Sequence, residues 1–224
     1  MFDWNEMKNK IILADNKDIM KDIPDKFFEL AIVDPPYGIG DWTTDTSCYP
    51  QRDGSVKRVK RENVKKVEWN NKIPSEDYFN SLKRVSCNQI IWGANYYNCF
   101  DKLGGCLIWH KGNINPVFSQ CEIASLSFQK RVDYIKIDWQ AGFARKKEGE
   151  TIHPCQKPVA LYRWLLQNYA KPGDKIIDTH SGSGSLACAC HLEKFDFLAI
   201  EKDEDYYKAS VERLEILRSQ GTLF

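Results

Sequence analysis

Four consecutive residues, Asp34-Pro35-Pro36-Tyr37, follow the apolar run ELAIV at 29–33, and glycines stand at 38 and 40. Such a turn offers two hydrogen-bond acceptors, the Asp34 carboxylate and the Pro35 carbonyl. The paired prolines fix φ, so neither acceptor has to be ordered at the moment of reaction. Two acceptors of this kind suit the two N–H bonds of an amine and the positive charge that grows on its nitrogen during attack on an electrophile. Tyr37 adds a ring on which a base rotated out of a duplex can stack, an interaction worth about 1–3 kcal/mol. A proline-rich turn that simply closes a strand would use the same residues without chemistry.

A second constellation lies near the other end of the chain. Lys175–Asp178 reads as a strand, Gly182 and Gly184 follow in a serine-rich turn, and a helix begins at about Ser183. Glycines between a strand and a helix let the backbone approach a ligand closely. The spacing is not the GxGxxG dinucleotide fingerprint, and a tight strand-to-helix turn accounts for it equally well. Glu201 strengthens the ligand reading. It ends the next strand, where an acidic side chain can accept hydrogen bonds from both hydroxyls of a ribose.

These residues need a scaffold that brings strand ends together. Leu30–Val33 is continuously apolar, as expected of a strand buried on both faces of a parallel sheet. Further strands are predicted at Ile11–Ala14, Gln89–Trp92, Cys106–Trp109, Cys121–Phe128 and Phe197–Glu201, with Arg131–Asp138 as an extra edge strand. Helices are predicted from Asp15 to about Ile23, from Ser75 to Val85, after Pro158, over Ser183–Lys194 and over Asp203–Ser219. Leu161, Trp164, Leu165 and Tyr169 carry the three-four spacing of one buried helix face. Strands alternating with helices predict an α/β fold, in which ligands bind outside the carboxyl ends of the strands.

The 224 residues are most simply one domain, 1–224, and 42% hydrophobic with 28% charged residues is ordinary for a globular protein. No segment approaches the roughly 20 apolar residues of a membrane span, and the start lacks the apolar core of a signal peptide. A cytoplasmic protein with no membrane partner is expected. The eight cysteines include no CxxC pair, so buried free thiols are expected and no metal. Net charge is only +1, but between Gln51 and Val67 seven cations face two acids. Lys57, Arg58, Lys60 and Arg61 in this stretch are candidate phosphate contacts. The segment at about 41–70 shows no apolar periodicity and is read as a mobile basic loop that orders over DNA.

DPPY (34–37), HPCQKP (153–158), DTHSGSGS (178–185) and FLAIEKDEDYY (197–207), with IIWGANYY (90–97) and LIWHKGN (107–113), together resemble the β-class amino-group DNA methyltransferases that use S-adenosylmethionine. The resemblance covers most of the chain. It implies a Rossmann-like methyltransferase fold with a mostly parallel seven-stranded sheet, one antiparallel strand, helices on both faces and a circularly permuted motif order. It implies Asp34, Pro35, Pro36 and Tyr37 as catalytic and base-binding residues. It implies Asp178, Gly182, Gly184 and Glu201 at the cofactor, with His180 in place of the family's phenylalanine, Lys157 at the methionine carboxylate and Asp15 at the adenine. Asp15 suits a helix cap equally well. DNA is the implied partner, with a homodimer as a family expectation. The region left to read a target sequence, about 134–151, is small. An aspartate first in the turn points to adenine N6. Cytosine N4, an amine on RNA or a protein glutamine, and a non-catalytic nucleic-acid-binding protein on the same scaffold are the alternatives.

Overall fold

In the computed structural model, which describes residues 2–40, 46–50, 53, 55–60, 69–97, 104–112, 119–139, 148 and 151–221, the apolar runs become strands covered on both faces. Successive side chains of a strand point to opposite sides. In β2 (Phe28–Val33) Leu30 and Ile32 enter one core and Ala31 and Val33 the other. The pairs Ile90/Ile91 of β5 (Ser86–Trp92), Ile176/Ile177 of β9 (Lys175–Asp178) and Ala199/Ile200 of β10 (Asp196–Glu201) divide in the same way. The first core is closed by α5 (Val159–Tyr169), α6 (Ser185–Glu193) and α7 (Glu204–Ser219), through Leu161, Leu165, Leu186 and Leu214. The second is closed by α2 (Asn16–Met20) and α3 (Glu76–Val85), through Met20, Tyr78, Leu82 and Val85. Two further short helices are α1 (Trp4–Met7) and α4 (Ala94–Tyr97).

The strand order is β1 (Lys10–Leu13), β10, β9, β2, β5, β7 (Cys121–Leu126), β6 (Gly105–His110) and β8 (Val132–Lys136). β7 is antiparallel to both of its neighbours and every other pairing is parallel. The expected count of seven strands is therefore corrected to eight, because the edge segment β8 joins the same sheet beside β6. β2 and β9 lie side by side, and the chain order runs outward from them in both directions, to β5 on one side and β10 on the other. That reversal is the switch point at which open α/β sheets bind ligands.

The basic segment departs from the loop expected for it. The backbones of β3 (Thr46–Pro50) and β4 (Val56–Lys60) form an antiparallel ladder, with Cys48 opposite Arg58 and Tyr49 opposite Lys57. Val56 and Val59 are three apart and interleaved with Lys and Arg, so no period of two shows in the hydrophobicity. Backbone pairing across a turn, in which Asp53 accepts from the Ser55 N–H at 2.9 Å, defines the hairpin instead. Lys57, Arg58 and Lys60 lie on β4; their side chains, and Arg61 altogether, are outside the described residues. No helix among the described residues is long and apolar enough to cross a membrane.

Candidate active site

The acceptor turn leaves the carboxyl end of β2 and is pinned by Asn70, which is 2% exposed. Asn70 Oδ1 accepts from the Tyr37 N–H at 2.9 Å, and its amide donates to the Gly40 carbonyl at 3.1 Å. The hairpin excursion thus starts and finishes beside residues 34–40. Tyr97, on α4, donates its hydroxyl to the Pro35 carbonyl and leaves that oxygen its second lone pair. The Tyr37 ring stacks on Tyr96, with centroids 4.8 Å apart and planes 15° off parallel. Gly93, at φ +76°, makes room for it: a Cβ there would stand 2.3 Å from Tyr37 Cε1.

Asp34 sits in a knot of charges. Tyr37 OH donates to its Oδ1 at 2.7 Å, and the Lys157 ammonium donates to its Oδ2. Lys157 also meets Glu122 Oε2 at 2.9 Å, and Glu122 Oε1 is held by Lys111. Burial pushes the Asp34 carboxyl up from its ordinary value; Lys157 opposes the shift and Glu122 adds to it. Burial would raise Glu122 as well, but Lys157 and Lys111 together outweigh it and hold that carboxyl at about 2. Burial works against the Lys157 charge, yet the two carboxylates raise its pKa above the usual lysine value. Lys157, expected at the cofactor's carboxylate, is thus placed on Asp34 and Glu122.

The glycine turn leaves β9 next to this knot. Gly184, at φ +71°, caps α6, and a Cβ on it would press within 3.1 Å of Ser210 Cβ and 3.2 Å of Ile11 Cδ1. Glu201, at the end of β10, accepts from three backbone N–H groups: Gly182 at 2.6 Å, Asp203 at 2.8 Å and Lys202 at 2.9 Å. Burial raises its carboxyl despite these bonds. Asp178 Oδ1 accepts from the His180 N–H at 3.0 Å, and burial pushes the Asp178 carboxyl up to about 8. His180 is tied into the surrounding elements: Asn16 lies 3.2 Å from its Nε2, and Thr179 Oγ1 lies 3.0 Å from its Nδ1. Burial lowers it to about 4, so the ring is neutral. Asp15 caps α2 through the Lys17 N–H at 3.0 Å and pairs with Lys202 at 2.6 Å.

The structure therefore joins Asp34 to Tyr37 and Lys157 at the end of β2, and Glu201 at the end of β10 to Gly182 in the turn after β9, the strand that lies between them. Glu122, Lys111, Tyr97, Tyr96 and Asn70 belong to the site and carry no role in the sequence reading. The fit to a nucleoside cofactor rests on two features of the turn. Glu201 is oriented with acceptor capacity remaining, and Ser181 Oγ is buried without a hydrogen-bond partner among the described residues. An amine-acceptor turn beside a glycine turn at the switch point of an open α/β sheet is the arrangement that the resemblance to the amino-group methyltransferases implies.

Comparison with known proteins agrees. A family model described as DNA methylase matches residues 126–212. The type II methyltransferase M.HinfI of Haemophilus influenzae is 22% identical, over 96% of this chain and 70% of that protein. The M1.HpyAVI–SAM complex superposes with a TM-score of 0.55 at 18% identity, covering 91% of this chain and 98% of that one. The cytosine-N4-specific PvuII DNA methyltransferase gives 0.57 at 13% identity, covering 94% and 90%. The family model and these likenesses agree with the resemblance to the β-class N6/N4 DNA methyltransferases, and the M1.HpyAVI structure is a complex with SAM.

Proposed function

We propose that this chain methylates the exocyclic N6 amine of adenine in DNA, on a base rotated out of the duplex. One observation carries the reading: an aspartate-led acceptor turn and the glycine turn leave neighbouring strands, β2 and β9, at the same edge of the sheet. S-adenosylmethionine supplies an electrophilic sulfonium methyl when bound. Glu201, whose Oε2 accepts only from Gly182, would accept from a ribose hydroxyl, and the turn at 181–184 would line the cofactor's other side.

The exocyclic amine is a weak nucleophile because its lone pair is delocalised into the ring. Asp34 takes one of its N–H bonds and the second lone pair of the Pro35 carbonyl takes the other. These contacts strengthen as nitrogen becomes positive, so they favour the transition state over the ground state. The N–C bond would form as the C–S bond breaks, the sulfur would leave as a neutral thioether, and the surplus proton would pass from nitrogen through the Asp34 carboxylate to solvent. Tyr96, 41% exposed, occupies the place on the Tyr37 ring that the incoming base would take. The basic hairpin would contact phosphates, and residues 134–151 would supply what base-edge contact there is.

The test is transfer of a radiolabelled methyl group to unmethylated genomic DNA, followed by nucleoside mass spectrometry. N6-methyladenine is the expected product, and N4-methylcytosine would overturn the base assignment. Cofactor binding by calorimetry without any transfer would favour a non-catalytic binding protein.

A further inference from the structure

Two partly buried charges, Glu122 and Lys111, have no part in the chemistry above, and their placement gives them one. The Lys157 ammonium has three N–H donors, and three oxygens surround it: Asp34 Oδ2, Glu122 Oε2 at 2.9 Å and the Tyr37 hydroxyl at 3.2 Å. Its side chain is 4% exposed. Glu122 divides itself in turn, with Oε1 on Lys111 and Oε2 on Lys157, and the Tyr37 hydroxyl 3.3 Å from Oε2. Charge therefore alternates along Lys111, Glu122, Lys157 and Asp34. The three groups nearest the acceptor atoms, two carboxylates and one ammonium, sum to a single negative charge, which Lys111 offsets only from the far side of Glu122. Without Glu122 the ammonium would belong to Asp34 alone, and that negative charge would vanish where a cationic nitrogen has to form.

We propose that Glu122 is a positioning residue of methyl transfer: by sharing Lys157 it prevents a one-to-one pairing with Asp34, so that the Asp34 carboxylate is oriented and keeps acceptor strength for the target amine. The inference rests on the reading of Asp34 as the amine acceptor. The direction of β7 makes it possible, because an antiparallel strand brings its amino-terminal residues to the edge where the parallel strands end. The titratable groups that face Asp34 are Lys157, Glu122 and Tyr37, and its charge also reaches Cys155, Tyr162 on α5 and Asp178 on β9.

Glu122→Gln keeps the shape and one acceptor while removing the charge. At saturating cofactor and DNA its single-turnover rate should fall about tenfold, because negative charge beside the developing cation is lost, with both KM values within about twofold. The acid limb of its rate–pH profile should move to lower pH, since the neighbouring carboxylate that opposes Asp34 ionisation is gone. Lys111→Gln, which exposes more of the Glu122 charge, should move the limb the other way. A purely structural role would lower stability and leave both limbs in place. The same shifts are read without DNA from the 13C-carboxyl titration of Asp34. If the parent transfers no methyl group to DNA, the functional reading fails while this titration still decides the positioning claim. An unchanged Asp34 midpoint in Glu122→Gln, or a rate within twofold of the parent, overturns the inference. Should that variant not fold, an unshifted midpoint in Lys111→Gln overturns it.

Discussion

The two sides of the crevice are built in opposite ways. At the end of β2 the acceptor heads a chain of side-chain charges, Lys157 of the 153–158 segment on Asp34, Glu122 of β7 on Lys157, and Lys111, just past β6, on Glu122. At the ends of β9 and β10 the fixed partners are backbone groups, and the carboxylate there, Glu201 of β10, is oriented by three peptide N–H groups. One side is tuned by charge balance and so answers to single side-chain changes in rate. The other is set by backbone conformation and so answers in affinity. The contrast makes the division of labour between the two turns testable.

The largest expected effect is on the charged side. Asp34→Ala should lower methyl transfer by two to three decades, about 3–4 kcal/mol, because an acceptor acting on developing charge is lost. Cofactor affinity by calorimetry should stay within a few-fold of the parent. A comparable loss of cofactor binding would merge the two sides and break the comparison.

A third region should touch neither side. Alanine at Lys57, Arg58, Lys60 and Arg61 should flatten the dependence of log affinity for duplex DNA on log salt by about two to four units, from counterion release of about 0.9 per phosphate contact. Calorimetric cofactor binding should be unchanged. An unaltered salt slope would place the DNA path elsewhere.

On the backbone side, Glu201→Ala should raise the cofactor Kd by about one to two decades, for a charge-assisted contact worth about 1.5–3 kcal/mol. The rate at saturating cofactor should fall much less. An unchanged Kd would move the ribose site away from β10.

The smallest effect is a pH dependence of stability. Burial holds His180 at about 4, below the roughly 6.5 of an unfolded histidine. The unfolded chain then binds the proton first as pH falls, so the contribution of His180 is present above about pH 6.5 and is lost on the way down to about 4. His153, also held at about 4 by burial, has the same sign. Asp178, pushed up to about 8, has the opposite sign, since the unfolded chain ionises first as pH rises from about 4. A difference between variants isolates His180. Between pH 6.5 and 4.5 the melting temperature of His180→Gln should drop by a few degrees less than that of the parent, for about 2 kcal/mol at most.

Sequence alone made the strands that end in Asp34, Asp178 and Glu201 legible, because a continuous apolar run that stops at an acidic or glycine turn is a local signal. The helices at Glu76–Val85 and Glu204–Ser219 were legible for the same reason, through their caps and periodicity. Strand direction is not local. The run Cys121–Leu126 reads the same whichever way it lies in the sheet, so nothing marked Glu122 as an edge residue at the crevice. Asn70 was hidden behind the basic stretch, and its contacts reach back some thirty residues to Tyr37 and Gly40. Tyr97 stood in a noted segment, but only the short helix α4 brings its hydroxyl to Pro35. His180 was visible as an unusual residue, and its neutral, bonded state follows from Asn16 and Thr179, which only the fold assembles.

The reversed course of β7 also determines where this chain can change length. Side chains alternate along a strand, so the face on which a residue lies is decided by parity. Glu122 is paired across the ladder with Trp109 and Ile123 with Ile108. A residue gained or lost ahead of β7 leaves that parity alone. One gained between Glu122 and Ile123 turns the carboxylate to the opposite face and takes it from Lys157. Insertions and deletions among descendants of this sequence should therefore accumulate on one side of that peptide bond and be purged on the other.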